Sequence, residues 1–185
     1  MPVLISMLRG INNVGSNRVK MDALRDLYVS LGFQDPRTCV QSGNVIFRTK
    51  ARSHTAIATR IQDGIGRAFG FRPAVLLRTA DELRKTVAAN PFARRRNVEP
   101  SKFLVTFLAG KPAPGASDSL TAFKDYPEEI HLKGRELYIY FPDGVGQSKL
   151  PWSSVEKLLG VAGTARNWNS VTKILAIAEN LEAGK

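Results

Sequence analysis

Leu4-Ile5-Ser6-Met7-Leu8-Arg9-Gly10 and, a hundred residues on, Leu104-Val105-Thr106-Phe107-Leu108-Ala109-Gly110 decide the fold. Three of the seven positions are identical and three exchange like for like; the exception is Arg9, answered by Ala109. Each run is short, apolar and partly β-branched, as suits a buried strand. Outward from the first, residues 10–19 hold two Gly, three Asn and one Ser, a loop composition. Met21, Leu24, Leu27, Tyr28 and Leu31 then recur at helical spacing, with Gly32 as a stop. Thr38 to Gln41 and Val45 to Thr49 flank the turn Ser42-Gly43-Asn44, a hairpin signal. Ile57, Ile61, Ile65 and Phe69 mark a second helix, with Ser53 as its cap, and a fourth strand is predicted at 74–77. The order β-α-β-β-α-β is ferredoxin-like.

Thr79-Ala80-Asp81-Glu82 reads as a capping box opening a third helix, which Asn90-Pro91 ends. From Pro91 to Pro100, two prolines bracket three consecutive arginines, a boundary composition. Past it the pattern restarts: a short helix around Leu120–Lys124, a hairpin from Glu129 to Phe141 turning at Lys133-Gly134, and a capping box at Ser153-Ser154-Val155-Glu156. A last helix carries Val171, Ile174, Leu175 and Ala178 on one face. The predicted fold is therefore α+β in two subdomains. A ferredoxin-like βαββαβ unit spans 1–92, a linker 93–100, and a second α+β unit, a reduced or variant copy ending in a helix, 101–185.

The chain has 185 residues and a net charge of +11. The whole excess lies in residues 1–98, which hold 14 of the 16 arginines; the remainder is neutral. At 43% hydrophobic residues the chain can bury a core, which excludes a disordered basic tail. One cysteine, Cys39, excludes a disulfide framework, and two histidines in different halves argue against a metal centre. No run approaches the roughly 20 apolar residues of a membrane span, and the start lacks the basic-then-apolar order of a signal peptide, so the expectation is a cytoplasmic protein without a membrane partner. The glycines from Gly64 to Gly70 look like a nucleotide loop, but they fall in a helical pattern and lack the spacing of a dinucleotide fingerprint. No nucleophile–base pair follows from spacing, so no catalytic residue and no cofactor is named.

Topology points to the candidate site. Strands 1 and 2 run parallel and strand 3 antiparallel to both, so the end of strand 1, the start of the first helix and the turn between strands 2 and 3 share one edge. Arg9, Asn12, Lys20, Ser42, Gly43 and Asn44 should cluster there, where a helix N-terminus offers free N–H groups and partial positive charge to an anion. Arg72 should approach the same edge. The plainer alternative is that Gly43 and Asn44 serve turn geometry, that Asn12 and Asn13 bond loop backbone, and that Arg9 neutralises an acid. The stretch Thr164 to Lys173 holds a second cluster, Arg166, Asn167, Trp168 and Asn169, at another helix start. Asn167 or Asn169 as cap and Trp168 as hydrophobic staple account for part of it.

Three motifs in order, Arg9-Gly10-Ile11-Asn12 with Val19-Lys20-Met21, then Gln41-Ser42-Gly43-Asn44-Val45, then Thr164-Ala165-Arg166-Asn167-Trp168-Asn169-Ser170-Val171-Thr172-Lys173, resemble the bacterial family of domain of unknown function (DUF) 1697 over nearly the full chain. That family usually has a second glycine where this chain has Val14, while Gly15 is kept. The resemblance implies a two-part α+β fold with a ferredoxin-like first half, and no established activity, cofactor or partner.

Three functions compete. The first is an anion-binding protein that holds a phosphate-bearing ligand or nucleic acid on strand-end loops and helix N-termini. Against nucleic acid, strands 1 and 3 lack the stacking aromatics of an RNA-recognition motif. The second is a small-molecule enzyme acting on a phosphorylated or carboxylated substrate in a cleft between the subdomains. The third, a protein-interaction scaffold, lacks a long apolar surface helix or heptads.

Overall fold

The structure, a computed structural model, describes residues 1–12 and 17–184. Asn13, Val14 and Gly15 lie outside the described residues. All six residues of β1 (Val3–Leu8) are buried, which is why the strand reads as an unbroken apolar run rather than an alternating one. It is followed by α1 (Met21–Ser30), β2 (Gln34–Cys39), β3 (Asn44–Arg48), α2 (His54–Phe69), β4 (Val75–Thr79) and α3 (Ala80–Ala88). The sheet is antiparallel with order β2-β3-β1-β4, the ferredoxin-like arrangement.

The second half repeats it in the order β5 (Phe103–Leu108), α4 (Ala116–Ser119) running into a 3-10 turn (Leu120–Phe123), β6 (Glu129–Lys133), β7 (Glu136–Tyr140), α5 (Trp152–Leu159), β8 (Gly163–Asn167) and α6 (Trp168–Glu182). Its sheet has the order β6-β7-β5-β8, again antiparallel. The copy extends to register. Ile5 lies opposite Ile46 on one side and Arg78 on the other; Val105 lies opposite Tyr138 and Arg166. A helix follows the fourth strand in both copies, capped by Thr79 in one and by Asn167 in the other. The second half is thus a full copy in its strands, reduced in its helices: α1 is answered by one turn of helix and the 16-residue α2 by the 8-residue α5.

Each unit has its own core under its helices. In the first, Leu24 and Tyr28 of α1 and Ile57, Ile61 and Ile65 of α2 pack on Leu4, Leu8, Val45 and Phe47. Gly64 lets α1 and α2 approach: a Cβ there would stand 2.9 Å from Leu31 Cδ1, so the helix accepts a residue that costs about 1 kcal/mol in propensity. In the second, Val155 and Leu159 of α5 pack with Leu120, Phe123, Leu137 and Ile139. By contacts, one compact unit is Met1–Lys85 with Thr172–Lys185 and the other is Thr86–Val171. Residues 93–100 lie within the second unit, where Arg95 forms a two-bond ion pair with Glu129 and Tyr140 donates to the Asn97 carbonyl.

Four expectations need correction. Strand 2 was expected at Thr38–Gln41 but runs over Gln34–Cys39, because Asp35 (φ +49) and Pro36 sit in a bulge that masks it as a loop. Thr164–Asn167, expected only as the lead into a helix start, forms the strand β8, whose one large buried side chain is an arginine. The box at Ser153–Glu156 is not made: α5 starts at Trp152 without a side-chain cap, and Glu156 accepts instead from the Gly163 N–H at 3.3 Å. Arg72 turns onto α2 and pairs with Asp63. The box at Thr79–Glu82 forms as expected, with both reciprocal bonds, and Ser53 caps α2.

Candidate functional site

The edge of the first sheet is built by hydrogen bonds that pin three loops together. The Leu8 N–H donates to Gly43 O and the Arg9 N–H to Ala74 O, both at 2.9 Å, so the end of β1 meets the β2–β3 turn and the approach to β4. Asn12, at φ +54, clasps the loop: its Oδ1 accepts from Val19 N–H at 2.8 Å, and its Nδ2 donates to Val19 O at 2.9 Å. Its own N–H reaches Asn17 O. Both ends of the Asn12 amide are therefore used on backbone, and the clasp fixes where Val19 and Lys20 stand.

Lys20 occupies the N-cap position of α1 with extended backbone and makes no side-chain cap. Among the described residues, the first-turn N–H groups of α1 receive no bond from the N-cap side chain, and they carry the partial positive charge of a helix N-terminus. A cleft of about 730 Å³ opens at this point, lined by Asn12, Arg18, Val19, Lys20, Met21, Asp22 and Gln41. Asp22, the acid in that first turn, is turned to Arg25 at 3.2 Å.

The turn beside the cleft is held from below. Asn44 is fully buried, and its Nδ2 donates to Cys39 O at 3.1 Å and to Ser42 Oγ at 2.8 Å. Gly43 is buried at φ +73, and a Cβ on it would stand 2.5 Å from Ile11 Cδ1. Val40 is exposed and sits at φ +50, a region a β-branched residue avoids at a cost of order 1–2 kcal/mol. Such outliers gather at functional sites when surrounding bonds hold them in place. Val40→Asn is expected to raise stability by about 1 kcal/mol, since Asn tolerates this conformation; equal or lower stability in urea denaturation would refute the strain. Burial pushes the Cys39 thiol pKa up, partly offset by the ammonium of Lys173. Lys173, the last residue of the third motif, thus belongs with the first unit.

The second cluster is used differently. Arg166 is 7% exposed; its guanidinium donates to Thr164 Oγ1 at 2.8 Å and Ala165 O at 2.7 Å, and burial pushes its pKa down to about 10. It remains charged at neutral pH. Asn167 Oδ1 caps α6 by accepting from Ser170 N–H at 2.8 Å. Trp168 is not the staple but the first residue of the helix, its ring stacked 4.7 Å from Phe103. Asn169 is exposed on the first turn.

The structure therefore brings Arg9, Asn12, Lys20, Ser42, Gly43 and Asn44 to one sheet edge, with Asn12, Gly43 and Asn44 as framework. Of the residues that line the cleft, Met21 and Gln41 fall within the sequence motifs without having been named as site residues, while Arg18 and Asp22 carry no sequence signal and are revealed by their place next to the Asn12 clasp. Among the described residues no cluster of His, Cys, Asp or Glu is suited to a metal, and no helix is long and apolar enough to cross a membrane.

A family model described as "Protein of unknown function (DUF1697)" matches residues 1–138. Among curated proteins no sequence match is found. Among solved structures, the chain is similar to the conserved bacterial protein SP0830 from Streptococcus pneumoniae, with a TM-score of 0.67 and 19% identity, over 97% of this chain and 99% of that one. At that identity the likeness is one of fold.

Proposed function

We propose that this chain, which belongs to the DUF1697 family of proteins of unknown function, binds an anionic, phosphate-bearing ligand at the α1 edge of its first unit. The observation that carries the reading is the open cleft on a helix N-terminus whose N-cap residue, Lys20, makes no side-chain cap, with Arg18 and Lys20 in its lining. Backbone N–H groups there supply directional donors, and the two cations supply charge. The strained Val40 beside the cleft-lining Gln41 supports the same edge. A discrete cleft favours a small phosphate ester or a nucleic-acid end over a long duplex, and part of the charge of Arg25, Arg48, Arg72 and Arg84 in this unit is offset by acids paired with them.

The test is titration calorimetry with inorganic phosphate, nucleoside monophosphates and a short single-stranded oligonucleotide at rising salt. Lys20→Ala and Arg18→Ala are each expected to weaken binding about tenfold, the equivalent of roughly 1.4 kcal/mol. Arg67→Ala, on the exposed C-terminal turn of α2, should leave it unchanged. Equal losses from all three variants would mean diffuse charge attraction and no site. An oligonucleotide that binds with a steep salt dependence while phosphate and nucleotides do not would move the reading to nucleic acid.

A further inference from the structure

We infer that the outer edge of β6 pairs with the β6 of a second copy of this chain, joining two second-unit sheets across a two-fold axis at His131. Among the described residues β6 pairs with β7 alone. The hairpin turns through Gly134-Arg135, so Lys133 and Glu136 form its closing pair. Arg135 O accepts from Leu108 N–H on the β5 side, which leaves Glu136 to exchange bonds with Lys133. By alternation His131 and Glu129 also bond toward β7, and the N–H and C=O groups of Ile130 and Leu132 point out of the sheet edge.

The two copies of the fold treat this position differently. In the first, the equivalent edge strand β2 is blunted by a bulge between Gln34 and Arg37, with Asp35 at φ +49 and Pro36 lacking an N–H. These are the devices by which edge strands refuse partners. In the second, β6 pairs over five consecutive residues without a bulge or proline.

The sequence of the strand, Glu129-Ile130-His131-Leu132-Lys133, complements itself when run antiparallel. With His131 facing its own copy, Glu129 stands opposite Lys133 and Ile130 opposite Leu132, twice over. The outward groups of Ile130 and Leu132 then exchange four hydrogen bonds, two in each narrow pair. Glu129 keeps its two-bond ion pair with Arg95 of its own chain, and the facing Lys133 adds a second cation beside that carboxylate; opposite charges facing across strands favour this register, and like charges would oppose it. The interface is isologous, and its area is small, so the expected affinity is weak, in the micromolar to millimolar range.

Sedimentation equilibrium of the full chain up to about 1 mM should show a monomer–dimer equilibrium. Lys133→Glu, which sets two carboxylates opposite two others, should abolish the dimer, and Glu129→Lys should do the same from the other side. Mixing these two variants should restore a dimer containing one chain of each, because the charges then oppose again. Leu132→Pro, which removes an outward N–H, should give a monomer; if it fails to fold, the charge variants carry the test. A monomer throughout the concentration range, a dimer that survives Lys133→Glu, or a mixture that stays monomeric would each overturn the pairing.

Discussion

Phe47→Ala is expected to lower the unfolding free energy by about 3–5 kcal/mol, the range for emptying a fully buried aromatic position. Phe47 has no exposed surface, and its ring lies 4.5 Å from Phe33 and 5.3 Å, edge-on, from Tyr28. Those three rings join four elements. Tyr28 comes from α1, Phe33 leads into β2, Phe47 belongs to β3, and the Tyr28 hydroxyl shares a 2.8 Å hydrogen bond with Ser6 of β1. The Arg60 guanidinium lies 5.4 Å from the centre of the Phe33 ring. Collapse into the vacated space would pull Tyr28 off Ser6 or Phe33 off Arg60, so relaxation is limited and the cost should sit in the upper part of the range. For a chain of this size each kcal/mol moves Tm by about 2–4 °C, so a fall of roughly 10 °C is expected. A loss below about 1 kcal/mol in denaturant titration would show that these rings are not the keystone of the first unit.

Gly43→Ala should cost about 2–4 kcal/mol. Two penalties act together. The left-handed backbone at φ +73 disfavours any Cβ by about 1 kcal/mol, and the new methyl would intrude on Ile11 and on Leu8 Cβ, 2.9 Å away. Ile11 is 2% exposed and begins the loop that Asn12 clasps, so the displacement should reach the α1 cleft as well as the core. The expected result is a lower Tm together with weaker phosphate binding. A variant as stable as the parent would mean that the turn can flip its backbone at no cost, contrary to the burial of Asn44 beneath it.

Much of the architecture is written in apolar spacing. The unbroken run at Val3–Leu8, the helical recurrence of Leu24 and Tyr28, and the isoleucines of α2 each follow from which faces meet a core. The repeat at residues 104–110 carries the same information into the second half. What was hidden had physical causes. β8 offers no apolar alternation, because its buried positions are Gly163, Thr164 and Arg166, and an arginine reads as a surface residue in local composition although this one is buried with its guanidinium on its own strand neighbours Thr164 and Ala165. β2 starts in an Asp-Pro bulge that has the chemistry of a turn. The candidate site divides the same way. The Ser42-Gly43-Asn44 turn is visible as turn chemistry, yet the burial of Asn44 depends on Leu8 reaching across to Gly43. Arg18 and Gln41 become neighbours only because one asparagine amide closes the loop between strand and helix.

The first compact unit is made of two separate stretches of chain, and on the ribosome these are born far apart. Arg48 donates to Leu181 O, and Arg84 pairs with Glu179 and Glu182, so that unit lacks these bonds until the later stretch has been made. At about 5–20 residues per second, translating the intervening unit takes roughly 4–17 s. Throughout that interval the β-α-β-β-α-β portion waits with its own hydrophobic cluster complete but without its polar bonds to α6, while the second unit emerges.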